Sequence, residues 1–110
     1  MPTIRKCLAQ VVPPANTLTD AYTVPVATET VVSAIWVCNT NQAIDAEFSI
    51  SVAIGGAADN TKQYILSLIP IDSGDTWEAT VGVTVSAGDV IRVFGSQANM
   101  AFQFFGAEIS

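Results

Sequence analysis

The chain has no histidine, only two cysteines (Cys7 and Cys38) and only four basic residues among 110. Without histidine it lacks the commonest general base and zinc ligand, which argues against a Ser–His or Cys–His nucleophile and against a zinc site. Four dispersed cations cannot neutralise a row of phosphates, so neither nucleic acid nor an anionic membrane is an expected partner. No apolar run reaches the roughly 18 to 20 residues of a transmembrane helix.

Charged residues of either sign are few in this chain. Charged residues make up 13% of the chain, half the residues are hydrophobic, and the net charge is −6. Soluble domains usually carry about 25% charged residues. A single small domain with so few charges is expected to have part of its surface covered by other copies or by a partner. A coat of Ser, Thr, Asn and Gln is the alternative, and the chain has many of these residues.

The N-terminal segment does not have the pattern of a secretion signal. Arg5 and Lys6 are followed by a stretch that Gln10, Pro13 and Pro14 interrupt, so a clean apolar signal core is missing. We therefore expect synthesis and folding in a cytoplasm. In that compartment the two cysteines are expected to be free thiols, with Cys38 packed in the core as a small hydrophobe.

Period-2 alternation of apolar residues recurs along the chain and predicts strands. It is clearest from Phe48 to Ile54 and from Met100 to Phe104. Turn signals follow about every 8 to 12 residues, and no segment has a capped helical period. The predicted strands cover residues 3–12, 18–25, 29–39, 46–54, 62–70, 75–81, 89–95 and 99–109. Residues 82–86 are either a further strand or the tail of the one before, and residues 89–109 are expected to form a terminal hairpin.

These strands predict an all-β fold: a single antiparallel β-sandwich, jelly-roll or Ig-like, of about eight short strands. The Pro13–Pro14 pair cannot lie in a central strand and favours extended backbone. Residues 1–17 are therefore predicted to be an N-terminal arm or edge strand, and residues 18–110 the sandwich domain.

Candidate chemistry is sparse. The acidic residues fall at turns or on polar strand faces, where turn formation explains them. The segment from Asp72 to Asp75 is the only plausible calcium site, but it lacks the spaced acids of an EF-hand loop, and a β-turn is the favoured interpretation. We accordingly predict no catalytic, cofactor-binding or metal-binding residue and no enzymatic activity. Packing is favoured over a sugar-binding platform for four aromatic residues: Tyr22, Trp36, Tyr64 and Trp77.

The order of several strand and turn motifs resembles that of small virion structural proteins of tailed bacteriophages. The motifs are residues 21–25 (AYTVP), 31–39 (VVSAIWVCN), 48–53 (FSISVA), 69–71 (IPI) leading into 74–76 (GDT), 86–93 (SAGDVIRV) and 102–109 (FQFFGAEI). The chain departs from the pattern at residues 26–28, where relatives often carry Ala-Gly-Lys, and the first twenty residues match nothing in it.

The resemblance implies a non-enzymatic building block of the virion, either a capsid decoration (cement) protein or a component of the tail and fibre apparatus. It also implies a homo-oligomer, with a trimer expected, that contacts other virion proteins such as the major capsid or tail proteins. Nucleic acid and membrane are not expected partners. The alternative function is a carbohydrate-binding β-sandwich module that contacts host surface glycans through exposed aromatic residues.

Overall fold

The computed structural model describes residues 2–110 and confirms the all-β prediction. Two single-turn 3-10 helices, Ile54–Gly56 and Thr61–Gln63, interrupt the strands, and residues 82–86 continue the sixth strand. The strands are β1 (Thr3–Val11), β2 (Thr19–Thr23), β3 (Glu29–Asn39), β4 (Ala46–Ala53), β5 (Tyr64–Ile71), β6 (Thr76–Ser86), β7 (Val90–Gly95) and β8 (Met100–Ile109). In the described part of the chain, no helix is long and apolar enough to cross a membrane.

The eight strands form two four-stranded antiparallel sheets. Sheet A has the order β1-β8-β3-β6 and sheet B the order β2-β7-β4-β5. In each sheet, strands that are distant in sequence lie side by side, and the chain passes repeatedly from one sheet to the other. This is the connectivity of an eight-stranded jelly roll. Of the two sandwich types predicted, the jelly roll is therefore the one that forms.

The predicted terminal hairpin is wrong. β7 pairs with β2 and β4 in sheet B, whereas β8 pairs with β1 and β3 in sheet A. The short connection between them crosses the sandwich, and it is fixed to β4 because Ser96 N donates to Glu47 O (3.0 Å) and Glu47 N donates to Ser96 Oγ (2.9 Å). Period-2 alternation marks the buried face of a strand but not its sheet, so the sequence pattern did not separate the two arrangements.

The core lies between the sheets and is built around aromatic side chains. Phe48 from sheet B and Phe102 from sheet A are fully buried, with ring centroids 6.1 Å apart in an edge-to-face arrangement. Trp77 packs edge-on against Phe48 at 5.3 Å. Other fully buried side chains from both sheets complete the core: Val32, Ile35, Val37, Ile50, Val93, Met100 and Phe104.

Residues 3–11 form an edge strand of sheet A. β1 pairs with β8 from Thr3 opposite Ile109 to Val11 opposite Phe102, and only its Leu8 is buried. The chain then crosses to sheet B, where Asn16 N donates to Gly95 O (2.8 Å). β1 is thus at the edge of sheet A, and the division of the chain into residues 1–17 and 18–110 stays a prediction.

A register shift between Val32 and Ala34 decides which side chains of β3 face outward. Beyond it, Ile35 and Val37 are buried, while Trp36 lies between them with 41% of its surface exposed. Cys38 is half-buried and outward by the same alternation, so its predicted place in the core is wrong. A bulge changes strand parity, which a uniform period-2 pattern cannot anticipate.

Candidate functional site

The predicted acidic turn is a turn in the structure. Asp75 N donates to Asp72 O (3.1 Å), and Gly74 adopts the left-handed conformation with φ +71°. A carboxylate oxygen of this turn accepts a backbone hydrogen bond, because Thr76 N donates to Asp75 Oδ1 (2.9 Å). No three Asp, Glu, Cys or His side chains converge as a metal site in the described range.

A cluster of hydrogen-bonded polar side chains joins the two sheets at one end of the sandwich. Tyr22 of β2 donates its hydroxyl to Glu108 Oε2 of β8 (2.5 Å) and lies 2.8 Å from the hydroxyl of Thr30 on β3. Lys6 Nζ donates to Glu108 Oε1 (3.1 Å). Hydrogen bonds from Tyr22 and Lys6 lower the pKa of Glu108, while burial and the bond to Glu108 raise the pKa of Tyr22 to about 12. These hydrogen bonds hold a neutral phenol beside a carboxylate and join the two sheets, and we call Tyr22, Thr30, Glu108 and Lys6 the polar clamp.

The four aromatic residues singled out in the sequence do not meet in one platform. Trp77 and Tyr22 point inward, toward Phe48 and toward the polar clamp respectively. Trp36 faces outward from sheet A, and Tyr64 lies on the outer side of sheet B, where its hydroxyl donates to Asp59 Oδ2 (3.2 Å). A sugar platform built from all four is therefore not what the fold presents.

The outer face of sheet A, hereafter the A face, is the first candidate interaction surface. Its outward side chains follow from the register of β3 with β8, and Trp36 lies on the inner strand β3, toward the end of that strand. A shallow depression of about 490 Å³ lies beside Phe105. From β1 across to β6, the central rows of the A face are Arg5, Ala107, Val31 and Thr84; Cys7, Phe105, Ala34 and Thr80; Gln10, Gln103, Trp36 and Glu78.

Charge on the A face is low and balanced. Its central rows hold one cation, Arg5, and one acid, Glu78, with Glu29 beyond them at the end of β3. The chain as a whole has a net charge of −6. The excess of acid therefore lies elsewhere, and the A face is where a second copy meets the least like-charge repulsion.

The outer face of sheet B is organised differently, because a loop of the same chain lies against it. Arg92 of β7 donates Nη1 to Ala57 O (2.8 Å) and Nη2 to Gly56 O (3.2 Å), and its Nε donates to Asp20 Oδ1 (3.0 Å). Asp89 fixes the start of the loop by accepting from Gly55 N (2.9 Å). The backbone of the loop over residues 54–63 is thus held in place by the side chains of Arg92 and Asp89.

Beyond this loop, sheet B carries a groove along β4. Its floor is Ser49 of β4, which pairs with Phe94 of β7. Ser51, the next residue of β4 on the same face, pairs with Tyr64 of β5. The groove has a volume of about 240 Å³. Its lining residues are Ser49, Tyr64, Ser67, Leu68 and Phe94. Small side chains on the middle strand, with large ones on both neighbours, produce the concave shape.

Sequence reasoning missed Phe94 and Phe105 as surface residues. In β7 Ile91 and Val93 are buried, so Phe94 alternates with them and faces outward. Phe105 follows the buried Phe104 in the same way. The alternation of buried and outward residues along a strand could have identified both phenylalanines as outward. From the sequence, only Trp and Tyr are treated as candidate binding aromatic residues.

No family model and no curated protein matches this chain. Seventeen chains of solved structures do match. Two of them are crystal structures of a pentameric capsid protein isolated from metagenomic phage sequences, one solved by iodide SAD phasing. Both alignments cover 96% of this chain, and they cover 59% and 60% of the capsid protein chains, at 17% and 18% identity with TM-scores of 0.41 and 0.42. This chain thus spans about three fifths of their length, and the likeness is distant.

Proposed function

We propose that this protein is a non-enzymatic structural component of a tailed-phage virion, and that its copies assemble with the A face buried. The order of the strand and turn motifs, which resembles that of phage virion proteins, supports the virion role. The observation that carries the assembly is the A face: a sheet surface of low charge with a half-exposed tryptophan on one of its inner strands.

The area of the A face limits how much surface a contact between two copies can bury. Four strands spaced about 4.8 Å and roughly eight residues long at about 3.3 Å each cover about 500 Å². Burying the A face against an equal area of a neighbouring copy removes about 1,000 Å² in total, the lower limit for a specific interface. Association through the A face alone is therefore expected to depend on protein concentration, and further contacts on the particle would strengthen it.

The finer assignment follows the resemblance. The protein is a capsid decoration protein or a tail- or fibre-associated protein, made in the host cytoplasm and located in the virion. Its partners are further copies of itself, with three as the expected number, and other virion proteins such as the major capsid or tail proteins. A reconstruction of the particle would decide between head and tail.

Light scattering at micromolar concentration tests the assembly. The wild-type protein should have an oligomeric mass, and Trp36→Glu should reduce it toward that of a monomer, because a buried unpaired carboxylate opposes the contact. Val26→Glu is the matched control, since Val26 is 91% exposed and outside the A face. A monomeric wild-type protein, or equal effects of both variants, would overturn the proposal.

A further inference from the structure

The groove on sheet B is the second candidate interaction surface of this fold. Tyr64 and Phe94 stand on the strands either side of β4, so their backbones are two strand spacings apart, about 10 Å across the sheet. Its volume of about 240 Å³ lies below the 300–1,000 Å³ of sites for drug-sized ligands. The groove therefore holds one small ring rather than a large molecule.

The walls of the groove are held in place by hydrogen bonds. Leu68 has a left-handed backbone with φ +48°, unusual for a leucine, and its N–H donates to Ser49 Oγ (2.9 Å). This conformation leaves Leu68 52% exposed at the rim. Farther along the same strand β5, the Tyr64 hydroxyl donates to Asp59 Oδ2 (3.2 Å), which fixes the phenol ring. The rim is thus preorganised by contacts within the chain.

The chemistry of the lining restricts the ligand. None of the five lining residues is charged. Ser49 Oγ accepts the Leu68 N–H, which leaves its own hydroxyl proton for a ligand, and Ser67 presents a second hydroxyl. Two aromatic rings supply apolar surface. A fitting ligand is therefore uncharged, has one apolar face and presents hydroxyl groups at its edge.

We propose that this groove binds a single pyranose unit of a neutral glycan, with the sugar ring against Tyr64 and Phe94 and its hydroxyls on Ser49 and Ser67. Saccharide rings combine apolar C–H faces with hydroxyl-bearing edges, which are the two features that the lining complements. The proposed site lies on sheet B, so it stands independently of assembly through the A face.

The test is an NMR titration of the ¹⁵N-labelled protein with glucose, galactose, N-acetylglucosamine and methyl mannoside, each to about 20 mM. We expect at least one sugar to shift amide resonances around the groove, with a Kd of about 1–10 mM, since one ring makes few contacts. Tyr64→Ala and Phe94→Ala should each weaken binding roughly tenfold or more. Ser67→Trp fills the groove from an exposed position and should abolish binding while the spectrum stays that of the folded protein.

Trp36→Ala is the matched control, because Trp36 is a half-exposed aromatic residue on the opposite sheet. It should leave sugar binding unchanged. The proposal is overturned if none of the four sugars shifts the groove resonances, if binding survives Ser67→Trp, or if an extended neutral peptide such as tetraserine shifts them while sugars do not. None of these outcomes bears on the oligomeric mass, so failure here is distinguishable from failure of the proposed assembly.

Discussion

Truncation of Phe48 should cost this domain a large part of its stability. Phe48 is fully buried and makes edge-to-face contacts with Trp77 at 5.3 Å and Phe102 at 6.1 Å. A buried Phe→Ala change typically costs about 3–5 kcal/mol, and each aromatic pair contributes about 0.5–1.5 kcal/mol beyond its area. Because Phe48→Ala removes both pairs, we expect about 4–5 kcal/mol.

The expected loss for Phe48→Ala is a large part of the free energy of unfolding of the whole domain. Domains of this size are stable by about 5–15 kcal/mol, so the variant should be close to unfolding at the lower end of the range. At about 4–8 °C per kcal/mol, the melting temperature should fall by roughly 16–40 °C. Urea unfolding followed by tryptophan fluorescence measures the free energy directly, because Trp77 packs on the deleted ring.

Phe94→Ala is the control for Phe48→Ala, since Phe94 is the same residue type but faces outward and is only half-buried. We expect it to cost less than about 1.5 kcal/mol. Equal losses for the two variants, or a loss below about 1.5 kcal/mol for Phe48→Ala, would show that the sandwich core is not organised around Phe48.

Four further predictions concern other parts of the fold. Gly106→Ala should destabilise the protein by more than about 2 kcal/mol in the same urea assay, because a Cβ there would lie 2.0 Å from a backbone oxygen of β3, whereas Gly82→Ala, with open space around it, should change stability by less than about 0.5 kcal/mol. Asp72→Asn should shift the melting temperature little, and calcium or EDTA should leave it unchanged; a calcium-dependent rise of several degrees would contradict the turn assignment. The lowered pKa of Glu108 means that its stabilising contribution is present above its ordinary value of 4.5 and is lost as the pH falls through the folded-state pKa, so Glu108→Gln should flatten the acid limb of the stability curve. The raised pKa of Tyr22 has the opposite sign: its contribution is complete below pH 10 and is lost as the pH rises toward about 12, and Tyr22→Phe should remove that alkaline loss.

The strands were predictable because local signals set them. The apolar run predicts a strand over residues 29–39, which are the limits of β3 in the structure, and β4 ends one residue before its predicted range. Both have β-branched or alternating residues bounded by polar turns. Such signals act over a few residues, and they are sufficient for strand limits and for the buried face of a regular strand.

The groove and the A face were not predictable in the same way, because they depend on pairing between distant strands. Tyr64 and Phe94 flank one groove only because β5 and β7 both pair with β4. Trp36 and Cys38 face outward only after the register shift in β3. Alternation alone gives neither the partner of a strand nor the position of a bulge.

The two outer faces of the jelly roll, on a chain with few charged residues, are covered differently. This difference sets which way the groove on sheet B points in the assembly. Sheet B is partly covered by its own loop, which Arg92 fixes through the carbonyls of Gly56 and Ala57. No loop of the described residues 2–110 is seen to bond across the A face in this way, and its Trp36 is half-exposed beside Gln103 and Glu78. Packed sheets lie about 10 Å apart and present opposite outer faces. If the A face is buried in the assembly, the groove beside Tyr64 and Phe94 therefore points away from it, and the affinity for a sugar should be the same in the free and the assembled protein.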